Sequence, residues 1–201
     1  MSQNEKSLSK IQHMAYIAMF GAVSAVLMFM EISVPLAPSF VKFDFSELPV
    51  ILGGYMMGPA AGAVIAVLKV ALNLVMKGTY SAGIGELSNL IGSCCYMLPS
   101  VLIYRKIKTK KGAEISLLLG TIIVSLCLLC TNTFFIFPAY AKMFGMGIDQ
   151  LVEIGAMTNP LVNSYFSLMV LSVLPFNLFK YGVISVITVL TYKRVKSVLH
   201  L

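Results

Sequence analysis

Charged residues are scarce in this sequence: they make up 11% of its 201 residues, whereas 58% of the residues are hydrophobic. A chain of this size cannot hide so many apolar side chains inside one water-soluble core. The composition therefore excludes an ordinary soluble domain and predicts an all-α protein that crosses a membrane several times, surrounded by lipid.

Histidine is nearly absent as well, and the two that are present, His13 and His200, lie near opposite ends of the chain. They leave no base for a serine or cysteine nucleophile inside the apolar segments and no cluster of metal ligands. The chain also lacks the GxxxxGK[ST] loop that binds nucleotide phosphates. We therefore expect no enzyme, no metal site and no cofactor.

The four cysteines, Cys94, Cys95, Cys127 and Cys130, all lie inside apolar segments. Cys127 and Cys130 have CxxC spacing, but a redox or zinc site would require polar surroundings and further ligands. We interpret all four as small packing residues.

The net charge of +7 does not indicate a nucleic-acid partner, because the basic residues form short clusters that flank apolar segments. The sequence predicts one membrane domain, residues 1–201, with six spans. Their approximate bounds are 13–30, 48–57, 60–76, 86–104, 115–137 and 176–192. The second span, of about ten residues, must be short or tilted.

The basic clusters also predict the orientation in the cell membrane. With six spans, ten of the fifteen Lys and Arg residues fall on one side, in residues 6–10, 105–111 and 193–196. The positive-inside rule makes that side, and both termini, cytoplasmic. Seven spans would place the last cluster outside, so the apolar run 161–174 is predicted to be an interfacial or re-entrant cover over the outer face.

Polar side chains are expected to gather near the outer ends of the spans. Pro175 suits the first turn of a helix, so Asn177 and Lys180, three residues apart, would share a face at the mouth of the last span. A cation costs about 2.5–3.5 kcal/mol at the centre of a membrane helix, so its retention suggests a ligand contact. Alternatively, Lys180 reaches the headgroups while Asn177 satisfies the backbone. Asn132 and Glu86 should lie at the same level, and this convergence favours a ligand site.

Residues 42–48 alternate polar and apolar side chains, which predicts a short extended segment able to cover a pocket. Its phenylalanines, Phe43 and Phe45, could pack on a flat ligand or face lipid.

Small residues predict close helix packing. Gly54, Gly58 and Gly62 recur every four residues, so the second and third spans can approach closely. In the third span, Lys69 and Asn73 lie one turn apart on one helix face. They could form a polar network beside a substrate path, or they could make an interhelical hydrogen bond.

An alanine stripe marks one face of the first span: Ala15, Ala18, Ala22 and Ala25 recur at spacings of three and four. Such a face can dock another membrane helix or pack within the chain's own bundle.

Three blocks of sequence resemble the substrate-binding S component of energy-coupling factor (ECF) vitamin transporters. They are Lys42–Gly54 (KFDFSELPVILGG), Gly58–Gly62 (GPAAG) and Gly83–Leu87 (GIGEL) with Asn89. Together with Asn132 and the Asn177–Lys180 pair, the sequence is most similar to the riboflavin-specific kind.

This resemblance implies six helices, a vitamin site near the outer face and a small-residue motif in the first helix. It also implies partners: a membrane-scaffold subunit and two ATPases, which would hydrolyse ATP in place of this chain. By analogy, Ala18 and Ala22 would contact the scaffold.

The side chains fit riboflavin. The amides can read the alternating acceptors and donor of the pyrimidine edge, the lysine can donate to a carbonyl, and the carboxylate and nearby backbone can bind the ribityl hydroxyls. The phenylalanines suit the flat tricyclic ring. The expected contacts are Asn132, Asn177, Lys180, Glu86, Gly85, Phe43 and Phe45.

Two alternatives stay open from the sequence. The same fold could serve another vitamin, because the scaffold signals do not define the pocket. An intramembrane enzyme would need a nucleophile and a base within hydrogen-bond reach, but the interior of the spans contains no histidine to act as that base, since His13 stands at the very start of the first span.

Overall fold

The structure is a computed structural model that describes residues 10–35, 37–38 and 40–198. Lys6 and His200, which entered the sequence analysis, lie outside this part of the chain. The helices are α1 Lys10–Phe29, α2 Glu47–Met57, α3 Pro59–Lys77, α4 Ile84–Lys106, α5 Lys110–Thr131, α6 Phe137–Phe144, α7 Ile148–Thr158, α8 Tyr165–Leu168 and α9 Leu174–Val198. Two π-helical turns, Asn132–Ile136 and Met169–Val173, join α5 to α6 and α8 to α9 without a break.

Within the part of the chain that the structure describes, five helical segments are long and apolar enough to cross a membrane. They are Lys10–Phe29, Pro59–Lys77, Ile84–Lys106, Lys110–Phe144 and Tyr165–Tyr192. Helix α2, with 11 residues, is too short to count among them, but it packs against α1, α3 and α4. Its bounds are close to those of the short second span, 48–57, that the sequence predicts. The prediction of an all-α, multi-pass membrane protein is confirmed.

The start of the last helix differs from the prediction. Helix α8, the second π turn and α9 form one continuous helix that begins at Tyr165. Pro175 therefore lies ten residues inside this helix instead of at its start. A proline inside a helix leaves the carbonyl four residues earlier without its N–H partner. Here Asn159 Nδ2 donates to that carbonyl, Leu171 O, at 3.1 Å, and the preceding π turn takes up the irregularity. Residues 165–174 therefore belong to the last helix, and the separate segment before it is α7.

The first π turn has the same relation to a proline: Pro138 lies two residues after its end, as Pro175 does after the second. The Tyr165 hydroxyl, from the start of α8, donates to the carbonyl oxygen of Thr133 inside this turn, at 2.7 Å. π turns widen a helix locally and recur at functional sites. Asn132 lies inside the first turn and Asn177 lies four residues after the second, and both side chains line the cavity described below.

The connection between α1 and α2 contains the first part of the extended segment that the sequence predicts over residues 42–48, whereas Glu47 and Leu48 already belong to α2. Strands β1 (Ile32–Ser33) and β2 (Lys42–Phe43) pair antiparallel. This segment leads into α2 at the end of the bundle where α3 ends and α4 begins.

The glycines of α2 and α3 lie at a close helix contact, as predicted. A Cβ added to Gly62 would lie 3.1 Å from the Cα of Gly54. Between the two helices, Gly58 has a φ of +104°, a conformation that favours glycine and reverses the chain.

The core occupies the middle of the bundle, around fully buried Ile65, Tyr96, Val124 and Ile184. A second apolar cluster, including Phe137 and Leu168, fixes α6–α8 beside the first. The two clusters hold the ends of α3, α4, α6 and α9 around one cavity.

Candidate ligand-binding site

A cavity of about 330 Å³ opens at the end of the bundle where the β1–β2 hairpin lies. Pockets of roughly 300–1,000 Å³ suit small organic ligands and cofactors. Its lining includes five of the seven predicted contacts: Gly85, Glu86, Asn132, Asn177 and Lys180. The structure thus brings together residues that lie up to 95 positions apart in the sequence.

An ion pair that the sequence did not predict holds Lys180 at the cavity wall. Its Nζ lies 2.8 Å from Asp44 Oδ2, and both side chains are buried. The other carboxylate oxygen of Asp44 accepts a hydrogen bond from the backbone N–H of Ser46 at 2.8 Å. The ammonium keeps two further N–H donors, so it can bind a ligand carbonyl without leaving Asp44.

The Asp44 carboxyl stays ionised in this setting. Burial alone would raise its pKa, but the charges of Lys180 and Lys69 outweigh burial and hold the pKa below the ordinary value of 3.8. Because the folded-state pKa is the lower one, the pair contributes its full stability above the ordinary pKa. That contribution is lost only as the pH falls through the lowered value.

Three asparagines bring unpaired polar atoms to the cavity. Asn73 Nδ2, Asn89 Oδ1 and Asn177 Nδ2 are buried and have no hydrogen-bond partner among the described residues. A buried polar atom without a partner costs about 1–3 kcal/mol. Two donors and one acceptor in one cavity therefore indicate a ligand with a polar edge that satisfies them.

Glu86 lies in the first turn of α4 and is half-buried at the more open side of the cavity. Its Oε2 accepts hydrogen bonds from Thr79 Oγ1 at 3.1 Å and from Ser81 Oγ at 3.0 Å. Gly85 allows α4 to approach α6 here, since a Cβ on it would lie 2.7 Å from Tyr140 Oη. The role of Gly85 is thus a close backbone approach.

A second carboxylate at the mouth, Glu31, pairs with two lysines, Lys42 at 2.7 Å and Lys77. Partial burial would raise the pKa of Glu31, but hydrogen bonds from Lys42 and Lys77 outweigh it and lower that pKa. These pairs join the β2 strand to the end of α3, so they fix the hairpin over the cavity.

The aromatic side chains of the cavity are not the predicted ones. Phe43 packs against Ala37 and Phe176 in a small apolar cluster, and Phe45 is 37% exposed. Neither lines the cavity. The rings that do include Phe40, Phe137 and Tyr140, and Phe40 contacts Phe137 edge-on with ring centroids 5.2 Å apart. The alternating phenylalanines correctly predict that this loop borders the cavity, but the ring that lines it is Phe40. Phe43 lies in β2, where its side chain is buried in the apolar cluster.

Lys69 lies beneath the cavity rather than in its wall. Its Nζ lies 2.7 Å from Glu47 Oε1 and donates to Ser93 Oγ at 2.7 Å and to Ser46 Oγ at 3.2 Å. These contacts connect α3 to α2 and α4. For Lys69 they correspond to the interhelical hydrogen bond, one of the two interpretations that the sequence left open. Asn73, one turn further on, does line the cavity.

The four alanines of the α1 stripe differ in exposure. Ala15, Ala18 and Ala22 are exposed on the outside of the bundle. Ala25 is only 1% exposed and packs in the core, so it cannot belong to an exposed docking face with the other three. The spacing that aligns four alanines does not reveal where α2 and α3 begin to cover α1.

Sequence reasoning did not assign Asp44, Asn73 or Asn89 to the ligand contacts. Asn89 follows Glu86 by three residues on the same helix face, a signal that would have found it. Asp44 lies in the alternating segment, but its pairing with Lys180 spans 136 residues and has no local signal.

Comparison with known proteins agrees with this architecture. The family model described as "ECF transporter, substrate-specific component" matches residues 12–192. A solved chain described as "Structure and mechanism of the S component of a bacterial ECF transporter" superposes with a TM-score of 0.75, at 24% identity over 95% of this chain and 99% of that one.

Curated relatives match over nearly the whole chain. "Riboflavin transporter FmnP" of Bacillus subtilis (strain 168) is 27% identical over 188 residues, which cover 93% of each chain. "Riboflavin transporter RibU" of Staphylococcus aureus (strain TCH60) is 27% identical over 201 residues, covering 99% of this chain and 94% of the relative. Since the family model spans all the membrane helices that surround the cavity, this protein belongs to the family of ECF transporter substrate-specific components.

Proposed function

We propose that this chain binds riboflavin from the outer side of the cell membrane and delivers it inward as the specificity subunit of an ECF importer. The similar proteins named as riboflavin transporters support the ligand. The basic clusters at the end of the bundle opposite the cavity support an outward-facing cavity with cytoplasmic termini.

One observation carries the proposal: the unpaired Asn177 amide lies in the same cavity as Asn132 and the Lys180 ammonium. The pyrimidine edge of riboflavin alternates carbonyl acceptors with an N–H donor, and amides can satisfy both kinds of group. The flat apolar part of the ring system suits the aromatic wall that includes Phe40, Phe137 and Tyr140.

Purification tests the ligand directly. Protein made by cells that contain riboflavin should retain a yellow ligand with the absorption spectrum and mass of riboflavin, and stripped protein should quench riboflavin fluorescence on titration. A colourless preparation whose mass spectrum reveals a different vitamin would instead select the same fold with another substrate. Turnover of a candidate substrate by the isolated chain would favour the intramembrane enzyme.

ATP hydrolysis, in this proposal, belongs to two separate ATPase subunits that act through a membrane scaffold. The exposed alanines of α1 form a smooth surface on which a scaffold helix can pack closely. This surface, which we define as Ala15, Ala18 and Ala22, is the proposed docking face.

Replacing Ala22 with phenylalanine should abolish co-purification with the scaffold and ATPases while riboflavin affinity stays within about twofold, because a bulky ring separates closely packed helices. The control is Ala71→Phe, at another exposed alanine, which lies on α3 outside the docking face and should retain the partners. Loss of riboflavin binding in Ala22→Phe would mean that this face packs within the protein and would contradict the assignment.

A further inference from the structure

Ser24, a buried serine of α1, makes its hydrogen bond outside its own helix. Other fully buried hydroxyls in the spans donate back to a carbonyl three or four residues earlier. They are Ser93, Ser100, Ser116, Ser125 and Thr188. Ser24 is fully buried as well, but its Oγ donates to the backbone carbonyl of Ser46, just before α2. This hydroxyl therefore fixes a neighbouring segment to α1.

Ser46, which accepts this bond, uses its three polar groups for three different partners. Its carbonyl accepts from Ser24, its backbone N–H donates to Asp44 Oδ1 at 2.8 Å, and its hydroxyl accepts from Lys69 Nζ at 3.2 Å. A serine just before a helix commonly caps the first turn with its hydroxyl, but the Ser46 hydroxyl makes no such bond. The position of Ser46 is therefore set by α1 and α3 together.

The contacts of Ser46 lead to the cation at the cavity wall. Asp44 accepts from the Ser46 N–H with one carboxylate oxygen and pairs with Lys180 Nζ through the other, at 2.8 Å. Three consecutive contacts thus join Ser24, which lies outside the cavity lining, to Lys180, which is part of it. Because all four residues are buried, water cannot readily replace these bonds. A shift of the Ser46 backbone therefore displaces the carboxylate that holds the ammonium.

We propose that Ser24 is a positioning residue for riboflavin binding, which acts through Asp44 on the ammonium of Lys180. Its hydroxyl fixes the backbone of Ser46, and the N–H of that residue in turn orients the Asp44 carboxylate. This inference rests on the proposed function, since it assumes that Lys180 binds the flavin ring. It gives α1, the helix that carries the docking face, a second role at the cavity.

Fluorescence titration of Ser24→Ala with riboflavin tests the proposal. The substitution removes the donor that fixes Ser46, so the riboflavin dissociation constant should rise about three- to tenfold. The matched control is Ser125→Ala, at an equally buried serine whose hydroxyl donates to Thr121 O within α5. Its dissociation constant should stay within about twofold of the wild-type value. Chemical unfolding of both variants measures the loss of stability separately, because a purely structural serine would lower stability without lowering affinity.

A double-variant cycle shows whether Ser24 acts through Lys180. In the Lys180→Ala background, Ser24→Ala should weaken riboflavin binding by less than about twofold, because substitutions within one hydrogen-bond network are not additive.

The same factor in both backgrounds would overturn the positioning role. A Ser24→Ala affinity equal to that of the wild type, or an equal loss in Ser125→Ala, would overturn it too. These two single variants decide the question even if Lys180→Ala does not fold. Failure of the wild type to bind riboflavin would instead overturn the proposed function.

Discussion

Replacing Lys69 with methionine should lower the free energy of unfolding by about 3–5 kcal/mol, because it leaves a buried charge without its partner. Lys69 and Glu47 are both fully buried, and Glu47 Oε2 already lacks a hydrogen-bond partner among the described residues. Without the ammonium, the Glu47 carboxylate would be buried without a cation. Chemical unfolding in detergent, followed by circular dichroism, measures the loss.

The chain contains a matched control for this substitution. Lys110→Met removes the lysine of an exposed pair, whose Nζ lies 3.9 Å from Glu114 Oε1, and should cost no more than about 1 kcal/mol. The double variant Lys69→Met/Glu47→Met should recover most of the stability, since an apolar pair can replace a buried ion pair. An unfolding curve of Lys69→Met that matches the wild type would mean that the pair contributes no net stability.

Removing the Asn177 side chain should weaken riboflavin binding by about 5- to 150-fold, which corresponds to the 1–3 kcal/mol cost of an unmet buried polar group. Lys180→Ala should reduce the affinity by a similar factor. Because Lys180→Ala also leaves the buried Asp44 carboxylate without its cation, its unfolding must be measured in parallel. Asn177→Ala carries no such charge defect and gives the cleaner value.

The matched control for the affinity measurement is Asn163→Ala, an exposed asparagine before α8 that does not line the cavity. The riboflavin dissociation constant of Asn163→Ala should stay within about twofold of the wild-type value, because this amide lies outside the site. The substitution removes solvent contacts and a local hydrogen bond, in which Asn163 Oδ1 accepts from Ser167 Oγ at 3.2 Å. If Asn177→Ala and Lys180→Ala also titrate like the wild type, the ring edge does not bind at these residues.

The sequence predicts the membrane helices well because their apolar length is a local property. The short α2 and the close Gly54–Gly62 contact are also readable, from run length and from spacing. The start of the last helix is not readable from the sequence, because Pro175 locally favours the first turn of a helix. A side chain from another segment, Asn159, satisfies the carbonyl that this proline leaves unpaired.

The sequence predicts several polar residues of the cavity, but it does not predict the ion-pair partner of Lys180 or the aromatic side chains of the wall. Polar side chains are unusual within apolar segments, so the sequence alone identifies three candidate ligand contacts: Asn132, Asn177 and Lys180. The Asp44–Lys180 pair and the aromatic wall depend on the packing of distant segments. In particular, Phe40 and Phe43 lie in the same loop, and only its fold decides which ring borders the cavity.

The two π turns make the orientation of the site depend on chain length. Each turn contains one residue more than a regular α-helix needs, and each residue of an α-helix rotates the chain by about 100°. Deleting a single residue from Met169–Val173 would regularise that helix but rotate its two halves relative to each other. Either Asn177 and Lys180 would swing into the lipid, or Tyr165 would release the carbonyl of Thr133. A one-codon deletion in this turn would therefore dismantle the geometry of the cavity.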